Sequence, residues 1–307
     1  MNLFNFKMAG VGVLALAHGS GCAVKRFAVN QLGDALALGS ETTFASDDDP
    51  DLVREAVPFS LKLMESLLAE SPNHRGLLLA TCRGFTEYAY AFIQEDADET
   101  EARDLVAAQA LKVRARKLYL RARNYGVRGL EVSHHGFATA LRTNPVAAVQ
   151  AARRADVPAL DWTAAAWGSA IANGKDNPEL VADRPIVEAL IDRAFALEPD
   201  FDEGALHRAL ISYEMVRPGI TMDEAVARAR KHFAQAVAVA NGKLAAPYVA
   251  LAEQVCVRKQ QKKEFQELLH RALAINVDEK PAARLENLVM QRRARWLLSR
   301  TDELFVD

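Results

Sequence analysis

The sequence predicts an all-α fold of stacked antiparallel helical hairpins. Three observations lead there. Alanine and leucine are abundant across the 307 residues, and alternating β-branched runs are nearly absent. Helix starts are marked repeatedly by an acid or asparagine followed by proline. A pattern of helix end, short turn and fresh apolar helix start recurs along the chain. With 50% apolar and 25% charged residues, the composition is that of an ordinary globular protein. The formal charge of −2 leaves no overall basic footprint for nucleic acid.

At the N-terminus, an apolar run of 10 residues from Met8 to Ala17 follows Lys7. A membrane-spanning helix needs about 20, and a core helix would show a polar face, which this run lacks. A positive residue, a short apolar stretch and then small residues are the grammar of a secretory signal. Gly19-Ser20-Gly21-Cys22 resembles a bacterial lipobox, with Gly19 where a branched residue is usual. Three readings stand: a lipoprotein signal that leaves Cys22 acylated, a plain signal peptide, and a mature N-terminal helix. The boundaries that follow from the first are a signal over 1–21 and one helical-repeat domain over 22–307. Each buried acyl CH₂ contributes about 0.8 kcal/mol, so several chains anchor without a protein span. Ala23 and Val24 lack the aspartate that often signals inner-membrane retention, which leans toward the outer membrane.

Asp47-Asp48-Asp49-Pro50 caps the helix DLVREAVPFSLKLMESLLAE, and Pro58 should kink or divide it. An EF-hand loop needs alternating ligands and a glycine, so the three aspartates read as a cap rather than a calcium site. In GFTEYAYAF, Phe85, Tyr88 and Phe92 fall on one helical stripe, while Tyr90 points elsewhere. The stripe is either core or the aromatic wall of a ligand cleft. Glu95, Asp96, Asp98, Glu99 and Glu101 precede Arg114, Arg116, Lys117, Arg121, Arg123 and Arg128, an order that complements a helix dipole. Arg114, Lys117 and Arg121 share a face, as a solvated surface or as a docking patch for an acidic partner or a solute carboxylate. His134 and His135 are adjacent, which is not the spacing of a metal pair on a helix.

Asn144-Pro145 opens VAAVQAARRA, and Val157-Pro158 opens a helix that Asn173-Gly174 closes. Within it, Trp162 and Trp167 lie about 140° apart around the axis, so one can pack in the core while the other lines a groove. Asp183 and Pro185 open IVEALIDRAFAL. Three later stretches then align: DRAFALEPDFDEGALHRALISY, AQAVAVANGKLAAPYVALAE and HRALAINVDEKPAARLENLVM. Their equivalent alanines, Ala194, Ala236 and Ala272, are 42 and 36 residues apart, against a tetratricopeptide period of about 34. ESLLAESPNHRGLLLATCRGF has the same shape. The expectation is tetratricopeptide-like helical hairpins, an α-α superhelix, with additional non-repeat helices between them. Cys82 and Cys256 lie in apolar helical patterns and read as separate buried thiols. No CxxC, phosphate loop or GxSxG motif is present, so no metal site, cofactor or catalytic residue is assigned.

Several of these segments are familiar together. FASDDDPDLVREAVPFSLKLMESLLAESPNHRGLLLATCRGFTEYAYAFIQ, RARKLYLRARNYGVRGLE, VPALDWTAAAWGSAIA and ALEPDFDEGALH resemble the T component of TRAP-type transporters, from about Cys22 to about Arg293. The resemblance implies a periplasmic lipoprotein that accompanies a solute-binding P component feeding an ion-driven permease. It also implies homo-oligomers, trimers in particular, and a cleft for a small organic or hydrophobic ligand. No enzymatic activity is implied. The ligand-cleft candidates are then Phe85, Tyr88, Phe92, Trp162 and Trp167. A generic tetratricopeptide scaffold lipoprotein of envelope assembly is the alternative.

Overall fold

The computed structural model describes residues 29–36 and 43–306. The expected signal over 1–21 and Cys22 lie outside the described residues. Among those residues the fold is all helix, with no strand. After a short helical segment at 29–36, α1 spans Pro50–Glu70 and α2 Arg75–Tyr88. A π-helical turn, Ala89–Gln94, carries α2 into α3, Glu95–Thr100. Then come α4 (Leu105–Ser133), α5 (Phe137–Thr143) and α6 (Pro145–Ala148). Two 3₁₀ turns follow, then α7 (Val157–Ala172), α8 (Pro178–Val181), α9 (Arg184–Leu197) and α10 (Phe201–Glu214). The chain ends with α11 (Met222–Val239), α12 (Ala246–Leu251) with its own π turn at Ala252–Cys256, α13 (Lys262–Leu273), α14 (Arg284–Ser299) and α15 (Thr301–Leu304).

The helix starts follow the chemistry of the sequence. Asp49 Oδ1 accepts the backbone N–H groups of Asp51 and Leu52, satisfying two donors that the first turn leaves orphaned. Asp104, Asn144 and Asn177 each accept one such N–H at the start of α4, α6 and α8. Pro58 does not divide α1, which runs unbroken through it. The segment after Asn144-Pro145 is shorter than its apolar pattern suggested: α6 is one turn and gives way to a 3₁₀ turn at Val149–Ala151.

The acids and bases expected along one helix belong to two. Arg103 N and Asp104 N both turn back to Thr100 O, and Asp104 then caps α4. Glu95, Asp96, Asp98 and Glu99 therefore belong to α3 and face arginines far away in sequence, not those of α4. The single-helix dipole reading does not hold because the helix breaks between Thr100 and Leu105, where Asp104 starts a new one.

Four helix pairs correspond to the recurring hairpin segments: α1–α2, α9–α10, α11–α12 and α13–α14. The long α4 packs between α2 and α7. Its approach to α7 is close because Gly126 has no side chain: a Cβ there would lie 2.1 Å from Thr163 Oγ1 and 3.0 Å from Cys82 Sγ. Ala115 and Ala122 on α4, with Ala164, Ala166 and Ala170 on α7, are buried, so the seam is small-residue packing. Two large apolar cores result. One joins α1, α2, α4, α7 and α9; the other joins α10 to α14. Cys82 belongs to the first and Cys256 to the second, both as buried free thiols.

The last long helix returns to the first. Leu285 N donates to Ala45 O at 3.0 Å, Arg284 Nη1 to Ser46 O at 2.8 Å, and α14 packs on α1. No helix among the described residues is long and apolar enough to cross a membrane.

Candidate ligand cavity

The return of α14 completes the wall of a partly open cavity of about 610 Å³ between the two cores, within the size range of small-molecule sites. Its walls come from α1, α2, α7, α10, α12 and α14. Val53, Val57, Leu61 and Met64 form the α1 side, and Val249, Val289 and Met290 face them. Tyr90, Ala91 and Leu285 pack against both cores, so the cavity sits at the seam between them.

Both π turns are in its wall. In the first, Glu95 N bonds to Tyr90 O; in the second, Val257 N bonds to Ala252 O. Each inserts one residue into an otherwise regular helix and widens the turn. Tyr88, Tyr90, Ala91, Phe92 and Gln94 all line the cavity as a consequence, a face broader than a regular helix presents. Tyr90, which the 3.6-residue period turns away, is thereby brought in. Gln94 is oriented from behind: its Oε1 accepts from Tyr119 Oη at 2.8 Å and from Asn173 Nδ2 at 2.9 Å, which leaves its amide N–H groups for the cavity.

One polar end is anchored by Arg293 on α14, which is 5% exposed. Its guanidinium meets Asp98 at 2.7 Å, Glu253 at 2.5 Å and Glu95 at 3.3 Å. Glu95 is fully buried, and neither carboxylate oxygen has a hydrogen bond of good geometry, so the 3.3 Å contact with Arg293 is a charge contact. Desolvation pushes its carboxyl up to about 7, against the lowering field of Arg293. Burial likewise raises the Tyr90 phenol, with the Glu95 charge adding to it. Next to this cluster, Arg292 and Arg54 share Asp96 in an ion-pair chain that ties α14 to α3 and α1. The other polar end holds Arg83, Arg208, Glu87, Glu286 and Asp202. Arg208 Nη1 donates to the carbonyls of Asp202 and Glu203, two residues held at positive φ with Gly204. Such a run is unfavourable for L-residues, and the arginine fixes it at the cavity mouth.

Of the aromatic residues singled out by sequence, Tyr88, Phe92 and Trp162 line the cavity. Phe85 does not; it stacks on Tyr125 at 6.2 Å under the Arg121 guanidinium, inside the first core. Trp167 is also packed away, its Nε1 donating to Asp183 Oδ2 at 3.0 Å with Arg123 and Arg142 over its ring. Among the docking candidates, Arg114 and Lys117 are exposed on α4, whereas Arg121 makes a two-pronged ion pair with Glu65 on α1. His134 Nε2 meets Asp156 at 2.9 Å, a structural contact. Among the described residues no group of three or more histidine, cysteine or acidic side chains is placed to hold a metal ion.

Sequence reasoning missed Tyr90, Gln94, Glu253, Met290 and Arg293. Glu253 and Arg293 carry no local signal, since 40 residues separate the partners. A π turn announces itself by no residue type, which is why Tyr90 was misplaced.

Residues 46–305 match the family model described as TRAP transporter T-component. A protein of Treponema pallidum (strain Nichols), described as uncharacterized, is 29% identical in an alignment covering 94% of this chain and 94% of its own length.

Proposed function

The chain belongs to the TRAP transporter T-component family, and from that premise we propose that it is an exported, lipid-anchored accessory that binds the solute-binding P component and holds a small organic ligand in its cavity. Its role in a TRAP transport system follows from the family, an accessory transport family rather than an enzyme family. The observation that carries the ligand reading is the cavity itself. Apolar walls with a few oriented polar groups are the usual make-up of a small-molecule site, and π turns such as the two in its wall are frequent at functional sites. The exposed Arg114 and Lys117 on α4 supply the docking face for an acidic surface of the P component. Acylated Cys22 keeps the protein at the periplasmic face of a membrane, and protomers associate as a trimer.

Affinity purification from the native envelope, with mass spectrometry of proteins and extracted small molecules, tests this reading. A solute-binding protein and an organic ligand should co-purify, and Arg114→Glu with Lys117→Glu should release the partner. Recovery of outer-membrane or cell-wall assembly proteins without any solute-binding protein would favour the scaffold reading instead.

A further inference from the structure

We propose that the cavity takes an amphipathic organic cation, an aliphatic or aromatic body carrying one amine, in preference to an organic anion of the same size; the inference rests on the ligand-binding reading above. It comes from the charges of the wall. The described wall carries three arginines, Arg83, Arg208 and Arg293, and four acids, Glu87, Asp202, Glu253 and Glu286. Every guanidinium already faces a carboxylate of that same wall: Arg83 meets Glu87 at 2.8 Å, Arg208 meets Glu286 at 3.6 Å and Arg293 meets Glu253 at 2.5 Å. A ligand carboxylate would have to compete with one of these partners, and at the buried Arg293 it would stand beside Glu253, which is costly.

Directly behind the wall lie further acids. Glu95 is fully buried with both oxygens lacking a hydrogen bond. Asp161 is 7% exposed, on α7 one residue before Trp162 and one turn before Ala165, both of which line the cavity. Burial raises Asp161 to about 7; Arg208 and Arg83 pull it down, and Asp202 pushes it up. All three of those neighbours line the cavity. Both carboxyls are raised chiefly by desolvation, so a cation brought into the cavity beside them would favour their ionised forms. A ligand ammonium is such a cation, and Tyr90 in the wall puts an aromatic ring within its reach. The aliphatic wall from Val53 to Met64, opposed by Met290, takes the apolar body.

The test uses the full chain loaded with Nile red, an uncharged dye, at pH 8. Decylamine, decanol and decanoate are compared as displacers, since they share one chain and differ in headgroup charge. Decylamine should displace the dye at a concentration about tenfold below decanoate, with decanol between them. Asp161→Asn, nearly isosteric, should narrow the gap between amine and alcohol while leaving decanol unchanged. Decanoate displacing as well as decylamine, or Asp161→Asn leaving the order and the gaps intact, would overturn the charge inference alone. Failure of the dye and of all three displacers to bind would instead overturn the ligand-binding reading on which it rests.

Discussion

Replacing Glu95 by glutamine should stabilise the protein at pH 8 and leave it nearly unchanged at pH 5. The carboxyl is fully buried without a hydrogen bond, and its native pKa stands at about 7 against an ordinary value of 4.5. Between those two values the folded state holds a proton that the unfolded state has lost. Unfolding stability therefore falls as pH rises through that window, since its slope follows protons bound unfolded minus folded. At about 1.4 kcal/mol per pH unit, the whole window corresponds to about 3 kcal/mol at pH 8. Glutamine never ionises and has the same shape, so it removes this loss. Below about pH 5 the buried acid is neutral, and the exchange is close to isosteric. Arg293 keeps Asp98 at 2.7 Å and Glu253 at 2.5 Å, so its own charge stays compensated. Urea unfolding followed by far-UV circular dichroism at pH 5 and pH 8 measures the difference directly. A Glu95→Gln protein less stable than the parent at pH 8 would refute the reasoning, because it would mean that attraction to Arg293 outweighs the desolvation of the carboxylate.

Removing the cation instead should act in the opposite sense: Arg293→Met strands three acids and should cost roughly 3–5 kcal/mol, and the loss measured in the same urea titrations should be larger at pH 8 than at pH 5. Gly126→Val should be destabilising by roughly 1–3 kcal/mol or more, because the new Cβ meets Thr163 Oγ1 at 2.1 Å; a melting curve that matches the parent would show that α4 and α7 are not held so close. Ala165→Trp, on the cavity wall, should abolish Nile red binding while the melting temperature holds, as measured by fluorescence titration and thermal denaturation. Asp49→Ala should cost about 1 kcal/mol in chemical denaturation, as it removes the acceptor for Asp51 N and Leu52 N.

Much of this was readable beforehand where the physics is local. Asp49 and Asn144 cap helices because a short acceptor side chain reaches the free N–H groups of the next turn, and that depends on a few adjacent residues. Cys82 and Cys256 were legible as buried thiols from the apolar period around them. The stripe of Phe85, Tyr88 and Phe92 was legible as buried too, but not which rings meet the cavity: Phe85 faces Tyr125 on α4, and only the packing of α2 on α4 sets that. The placement of Trp162 and Trp167 on different sides follows from the helical angle alone, but the assignment of the inner and outer one required α9 and its Asp183 cap region.

The linear chain specified an all-helical protein, its hairpin turns and its family, because propensity, capping and apolar period act over a few residues at a time. Tertiary packing alone created the cavity. Its polar ends join Arg293 to Glu95 and Asp98 on α3 and to Glu253 beyond α12, and the completion of its wall depends on α14 returning to Ala45 and Ser46. Those contacts join residues up to 240 positions apart, Leu285 and Ala45, and the energy of a buried charge is set by everything that surrounds it in space rather than by its neighbours in sequence.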